Sequence, residues 1–374
     1  MTTSLCNFLY TGSIVWLFAY SCIVLVSVVG NTLTILAILT SRKLKTLLSN
    51  RFVLSLAISD LLVGCSIPYH MLPHYWPGMN TNKTTCLLRF TLIAFACCSS
   101  VINLLVVAAD RYVAIVHPLH YSKYMTKRTS TFFIIYVWTS ALGVGTALLY
   151  WNYWELNGNK CDISLAPQEY LNYLLAPLFF VIWITMLIFY IKIVKEAKGQ
   201  AKRLKNAVSV TSLPGMCESS KSLQMVFLIL GCFTVTWFPY FLCITIITTY
   251  GNVCVLFYEI SFSMAVGNSA MNPLIYAWKN NGYRRAFLRL LSCRAPDNRR
   301  TDYITNHEPG NAHARGFDHS YNNGIAEEIG RSEATAQPCS EIDAESEHTA
   351  VSELSATGTL GSEKAEKEVD TEIV

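Results

Sequence analysis

Charge is what this 374-residue chain has least of. Asp, Glu, Lys and Arg make up 14% of it, against 52% hydrophobic residues, where soluble domains average about a quarter charged. That deficit excludes an ordinary set of soluble domains, although the length alone allows two or three. Acid is scarcest in the body of the chain. Residues 1–294 carry 8 Asp+Glu against 23 Lys+Arg, and residues 295–374 reverse the balance with 17 against 6. The patterns that carry catalysis are also missing: there is no Ser/His/Asp arrangement, no metal-spaced His cluster and no phosphate-binding loop. His117 and His120, on either side of Pro118, read as solvated loop residues. The chain is therefore not expected to be an enzyme. It shows no internal repeat and no path of buried ionisable groups, which argues against a transporter or channel. Its basic residues sit beside apolar blocks, as at the inner surface of a membrane, so nucleic acid is not an expected partner.

What the chain has instead is seven apolar blocks of 20 or more residues, at about 13–41, 50–76, 86–116, 129–151, 170–195, 222–250 and 255–278. Roughly 20 helical residues cross a bilayer, so an all-α bundle of seven membrane helices is expected over 13–278. The connecting segments on one side carry 20 Lys and Arg, and those on the other carry only Lys83, Arg89 and Lys160. Basic loops stay inside. Residues 1–12 are then extracellular, and the protein is a multi-pass plasma-membrane protein with a cytoplasmic C-terminus. The one Asn-x-Ser/Thr glycosylation sequon, at Asn82, falls in an outer loop and agrees. Met1–Tyr10 has no basic residue of the kind that opens a cleavable signal peptide, so the first span is expected to serve as the insertion signal. Residues 279–293 place apolar residues on one helical face and Arg on the other, the pattern of a short amphipathic helix lying against membrane lipid. Cys293 closes that segment as a palmitoylation candidate. Residues 294–374, rich in Glu, Ser and Thr and poor in aromatics, read as a disordered acidic tail.

Of the 13 cysteines, Cys6, Cys86, Cys161 and Cys254 fall on the outer, oxidising side. A Cys86–Cys161 bond would pin the loop between spans four and five over the bundle, and Cys6 with Cys254 is a second candidate pair. Polar groups inside spans default to functional hypotheses: Asn31, Asp60, Ser100, Asn268 and Asn272. They are either hydrogen-bonding links between helices or the oxygen ligands of a small hard cation. Asp110-Arg111-Tyr112 closes span three, where Arg is suited to holding and releasing a charge partner. Pro239 follows Trp237-Phe in span six and Pro273 follows Asn272 in span seven. Both are hinge candidates, because proline frees backbone groups.

Together these residues resemble the rhodopsin-type (class A) G-protein-coupled receptors over nearly all of residues 13–292. The matching series is Gly30-Asn31, Leu56 to Asp60, Cys86, Asp110-Arg111-Tyr112, Trp138, Cys161, Trp237-Phe-Pro239, Asn272-Pro273-Leu-Ile-Tyr276 and the amphipathic Phe287 segment. The subfamily is left among adenosine-, lipid- and melanocortin-like groups. The resemblance implies a receptor that passes a small-molecule signal to heterotrimeric G proteins, with no cofactor beyond an allosteric sodium ion. Asp60, Ser100, Asn268 and Asn272 would form the sodium site with Trp237. Arg111 would meet the G protein once span six swings out, supported by Tyr190 and Tyr276, and Val101, Ile182 and Phe233 would form the core switch. This chain departs from the pattern in span five, which lacks proline at Ile182 and carries Pro177 instead. It departs again in span six, where Ser219 stands in place of an acid and Glu218 is one residue off. The resemblance therefore implies no inactive-state salt lock there, and raised basal signalling.

By the same resemblance the ligand pocket is lined by Ile93, Ala94, Cys97, Leu174, Leu178, Tyr240, Phe241, Ile244, Phe262 and Val266. Its polar points are Arg89, His70, His74, Tyr258 and Glu259. Ile93 replaces the Asp of monoamine receptors, which weighs against an ordinary amine because a buried cation needs a counter-ion. Val266 replaces the retinal-binding Lys of opsins. Arg89 stands where lipid receptors hold a head group, so a lipid-like or acidic apolar ligand is favoured. An amine held through Glu259, a purine or a short peptide is the alternative, and a non-signalling scavenger is the alternative role. In the tail, Ser332, Ser340, Ser346, Thr349, Ser352 and Ser355 among acids suit receptor kinases and arrestin, and Glu372-Ile373-Val374 suits a PDZ groove.

Overall fold

Lipid offers no partner to a backbone N–H or C=O, so an apolar run that crosses it satisfies both internally as a helix. The computed structural model describes residues 13–76, 82–156, 161, 165–207, 215–250 and 255–292, with backbone alone at 13–14, 73–75, 201–207, 215–226 and 255. All of these lie in one compact unit, Met1–Arg299, and the second unit, Arg300–Val374, contains no described residue. Seven long helices follow in order: α1 (Ser13–Thr40), α2 (Ser49–Tyr75), α3 (Lys83–Val116), α4 (Lys127–Tyr150), α5 (Ala176–Ala207), α6 (Gly215–Tyr250) and α7 (Val255–Lys279). A shorter α8 (Asn281–Leu291) comes next, and among the described residues there is no strand. Helices α1 to α6 each contain a segment long and apolar enough to cross a membrane. Helix α7 carries Glu259, Asn268 and Asn272, and its 25 residues still reach about 37 Å at 1.5 Å per residue.

The caps explain several starts. Asn82 Oδ1 accepts the Thr84 N–H at the head of α3, Thr126 Oγ1 accepts that of Thr129 at the head of α4, and Asn280 Oδ1 accepts two N–H groups at the head of α8. Helix α5 runs past the expected 195 to Ala207, because its Lys-, Glu- and Ala-rich end remains a good helix former outside the apolar stretch. Ahead of α5 a single π turn spans Tyr170–Leu175, in which Ala176 N–H reaches back five residues to the Leu171 carbonyl. Pro177, which brings no N–H of its own, follows directly.

The outside of the bundle is apolar where that of a soluble protein is polar, and several polar side chains are buried within it. Asn31, Ser59, Asp60 and Ser99 are fully buried, while Val15, Phe18, Phe132, Ile135 and Val181 are more than half exposed on its outside. An apolar belt of that extent needs lipid around it, so this is a multi-pass membrane protein. Helix α3 is central, packed against α2, α4 and α5, while α7 closes the ring between α6 and α1. Two glycines permit the closest approaches. A Cβ on Gly145 would stand 2.7 Å from the Phe95 backbone, and one on Gly30 would stand 2.9 Å from the Pro273 ring. The seven-helix bundle with an amphipathic eighth helix is the expected fold. Cys6, Cys254, Cys293 and the whole tail, with its phosphorylation and C-terminal motifs, lie outside the described residues.

Candidate functional site

Three connected sites run along the bundle. At one end the Cys86–Cys161 disulfide, Cα atoms 5.9 Å apart, ties the α4–α5 connection to the head of α3. Leu165 and Trp154 pack against it. Beneath it lies a cavity of about 110 Å³ between α3, α5, α6 and α7. His70, Ile93, Cys97, Tyr240, Phe241, Tyr258 and Phe262 line it, joined by Ala94, Leu178, Val266 and Trp237. Phe90, Tyr170, Leu171, Leu175 and Phe179 line it too and were not singled out from the sequence. The Tyr170 hydroxyl is already engaged, donating to the Val144 carbonyl at 3.1 Å.

Arg89, Glu259, Ile244 and Leu174 are not among the residues lining this cavity. Ile244 is buried in a side cluster with Leu148, Tyr170 and Leu171. Arg89 is 7% exposed. Its guanidinium donates to the His70 carbonyl at 3.3 Å and to Cys161, carbonyl at 3.3 Å and sulfur at 3.2 Å, and lies over the Phe90 ring. It therefore braces the disulfide loop against α2 and α3. Glu259, also buried, accepts the Tyr20 hydroxyl at 3.0 Å, one residue after cavity-lining Tyr258. The His74 side chain lies outside the described residues.

Midway down, Asp60 is wholly buried and takes part in no ion pair among the described residues. Ser100 Oγ donates to Oδ1 at 2.6 Å and Asn272 Nδ2 to Oδ2 at 2.8 Å. Asn31 sits beside this pair and donates to the Ser27 and Ser269 carbonyls at 2.8 and 3.0 Å, which joins α1 to α7 where Gly30 allows them to touch. Asn268 Oδ1 accepts from Thr236 at 3.4 Å, while Asn268 Nδ2 and Trp237 Nε1 have no hydrogen-bond partner among the described residues. A carboxylate with hydroxyl and amide groups around it is the donor chemistry of a hard cation site, so these residues fit a sodium ion. Above it, Phe179 stacks on Phe241 at 3.9 Å and meets Phe233 at 5.8 Å. Val101, Ile182 and Phe233 are buried in that same core.

At the far end Arg111 Nη2 is 2.7 Å from Asp110 Oδ2, and Asp110 is buried while Arg111 is only partly so. The same carboxylate accepts Ser49 Oγ at 2.9 Å and the Tyr121 hydroxyl at 2.8 Å. Burial holds the Tyr121 phenol above its ordinary pKa, and the Asp110 charge adds to the effect. Arg111 and Tyr190 line a smaller cavity with Met186, Ile193 and Leu230. Tyr112 stacks on Phe189 at 4.9 Å, and Tyr276 stacks on Tyr283, whose hydroxyl donates to Asn50 at 2.9 Å. Pro239 and Pro273 lie inside α6 and α7, the two helices that pair along this path. The side chains of Glu218 and Ser219 lie outside the described residues.

Known proteins share this pattern. The family described as 7 transmembrane receptor (rhodopsin family) matches residues 30–276. The histamine H2 receptor of Cavia porcellus is 27% identical over 282 residues, covering 73% of this chain and 78% of that protein. The human histamine H2 receptor is 28% identical over 283 residues, with the same coverage. The octopamine receptor beta-2R of Chilo suppressalis is 28% identical over 311 residues, covering 72% of this chain and 78% of that protein. These relatives are receptors named for amines, so they lend no support to the lipid-like or acidic ligand expected from Arg89, whose guanidinium is held by the His70 and Cys161 carbonyls and which is not among the residues that line the cavity. With the bundle, the disulfide-held cavity, the buried Asp60 and the Asp110–Arg111 pair in place over the matched residues, the chain belongs to the rhodopsin family of seven-transmembrane receptors.

Proposed function

We propose that this G-protein-coupled receptor responds to a small amine bound in the cavity between α3, α5, α6 and α7. The observation that carries this reading is the placement of the charges. Neither Arg89 nor Glu259 is among the residues lining the cavity: Arg89 donates to backbone carbonyls and the disulfide sulfur, and Glu259, a buried acid that accepts the Tyr20 hydroxyl, directly follows cavity-lining Tyr258. The relatives named for histamine and octopamine support the same class. The counter-ion is displaced in this chain. Ile93 occupies the α3 position, so an ammonium would turn toward α7 and Glu259, because burying it unpaired is strongly unfavourable.

The test is G-protein activation in membranes from cells expressing the receptor, with panels of biogenic amines and of neutral lipid amides, for wild type, Glu259→Gln and Arg111→Ala. An amine response that Glu259→Gln weakens at least tenfold, with surface expression unchanged, supports the assignment. A response to neutral amides alone, indifferent to Glu259, supports a second reading, an uncharged apolar ligand. That reading is favoured by the absence of any charged side chain among the described residues lining the cavity.

The remaining parts of the reading follow from position. The N-terminus is outside and residues 294–374 are cytoplasmic, with glycosylation at Asn82 and palmitoylation of Cys293 anchoring α8 to lipid. A sodium ion, supplying a positive charge to Asp60, would be held by Asp60, Ser100, Asn268 and Asn272 and would favour the resting arrangement. Ligand binding shifts a pre-existing equilibrium toward a form in which α6 moves outward about Pro239. Arg111 then leaves Asp110 to meet the G protein, with Tyr112, Tyr190, Tyr276 and the Pro273 bend supporting the opened end. Arg111→Ala is expected to abolish signalling and keep ligand binding. Receptor kinases, arrestin and a PDZ protein would act on the tail.

A further inference from the structure

The polar groups that line the cavity are gathered around one ring. His70 on α2, Tyr240 on α6 and Tyr258 on α7 all meet Phe262, their centroids 4.9, 5.9 and 6.1 Å from it. Phe262 stands one helical turn from Glu259, on the same face of α7. The α5 side is different. Helix α5 and the π turn before it contribute Tyr170, Leu171, Leu175, Leu178, Phe179 and Ile182. Tyr170 alone among these carries a polar atom, and its hydroxyl is drawn to α4, donating to the Val144 carbonyl at 3.1 Å. Helix α3 adds Cys98, Val101 and Ile102, and a thiol is a weak hydrogen-bonding group. Trp237 also lines the cavity, but its buried indole N–H, without a partner among the described residues, can only donate. A ligand hydroxyl or ring N–H pressed against the α5 side therefore meets no strong acceptor among the described residues, and burying such a group unmatched is unfavourable.

We propose that this receptor selects compact monoamines whose end away from the ammonium is bare hydrocarbon, an unsubstituted aromatic ring or a short branched alkyl group. The proposal rests on the amine reading of this cavity and narrows it. With the ammonium on the α7 side, beside Glu259, the other end of the molecule meets leucine, isoleucine and phenylalanine, where each buried carbon is favourable and each added polar hydrogen is not. Phenol-, catechol- and imidazole-ended amines are excluded on that ground, so octopamine and histamine, which carry a phenol and an imidazole there, are expected to be weak ligands.

Matched amines that share an ammonium and an ethylene linker test it, by G-protein activation in membranes carrying the full chain. Phenylethylamine is compared with tyramine and dopamine, which add ring hydroxyls to the same skeleton, and 3-methylbutylamine with histamine. The first added hydroxyl is expected to raise the effective concentration roughly 10- to 100-fold, and histamine is expected to be weaker than 3-methylbutylamine. Leu178→Ser places a hydroxyl on the α5 side and is expected to narrow the gap between tyramine and phenylethylamine. Leu175→Ser serves the same purpose if the first variant fails to reach the surface. Tyramine or histamine as potent on wild type as its hydrocarbon-ended counterpart, or a gap unmoved in both serine variants, overturns this inference and leaves the amine reading standing. No response to any amine, with the receptor verified at the surface, removes the amine reading and this inference with it.

Discussion

Asp110 is the point at which the resting arrangement is most directly open to a measurement. Its carboxylate is buried and holds three donors: Arg111 at 2.7 Å, Tyr121 at 2.8 Å and Ser49 at 2.9 Å. Hydrogen bonds to a charged group are worth about 1.5–3 kcal/mol each. Asp110→Asn removes the charge that retains Arg111 and leaves an amide able to keep one or two neutral contacts. Taking about 2 kcal/mol as the loss, the equilibrium between resting and opened forms moves roughly 30-fold. If about one receptor in a hundred is open at rest, the variant brings that to about a quarter. Tyr121→Phe deletes one donor and spares the ion pair, so it is expected to cost about 1.5 kcal/mol and raise the open fraction roughly tenfold. Guanine-nucleotide exchange without ligand, normalised to receptor at the surface, measures both. Basal exchange equal to wild type in Asp110→Asn, or larger in Tyr121→Phe than in Asp110→Asn, would refute the reasoning that this carboxylate restrains Arg111.

Three further outcomes are expected. Gly145→Ala places a methyl 2.7 Å from the Phe95 backbone, which cannot give way as a side-chain tip would. It is expected to lower stability by about 1–3 kcal/mol, while Gly143→Ala, with nothing within 4 Å, does not; thermal unfolding of the purified receptors compares them. Asp60→Asn is expected to remove any effect of sodium on agonist affinity, and a sodium effect that survives the substitution counts against the site. Cys161→Ser opens a link between residues 75 apart in sequence, expected to cost about 4 kcal/mol and to release Arg89 from one of its anchors. Equal surface expression and thermal stability in that variant would contradict the bracing role.

The spans were legible because each is a long, mainly apolar run; their ends moved by more than three residues at α5, which begins at Ala176 after the π turn and is carried by charged helix formers on to Ala207, and at α6, which begins at Gly215 instead of 222. Asp60, Asn31 and Asn272 stood out because a polar group in lipid has to find a partner inside the bundle. The partners of Asp110 were hidden for the opposite reason. Ser49 and Tyr121 are ordinary loop-edge residues, 61 and 11 positions away from it, and nothing in their neighbourhoods marks them. The direction of Arg89 was equally hidden. At the head of α3 its guanidinium is held by two backbone carbonyls, of His70 and Cys161, which a reading of side chains does not show. The π turn at Tyr170–Leu175 has no sequence signal beyond the nearby Pro177, yet it presents Tyr170, Leu171 and Leu175 to the cavity.

On the proposed amine reading, Ile93 on α3 and the acid Glu259 on α7 would together set the ligand's orientation. A cation drawn to α7 leaves the rest of its molecule to cross the bundle, past Tyr240 and Phe241 on α6 toward Phe179 and Ile182 on α5. Those residues already touch one another, since Phe179 stacks on Phe241 and meets Phe233. A ligand lying that way would contact both α6, the helix proposed to move, and the core packed against it. Only contacts that differ between two arrangements shift a population between them. A ligand confined to the α7 side would hold its charge and touch little that changes, so on this reading efficacy is expected to follow the contacts with α5 and α6.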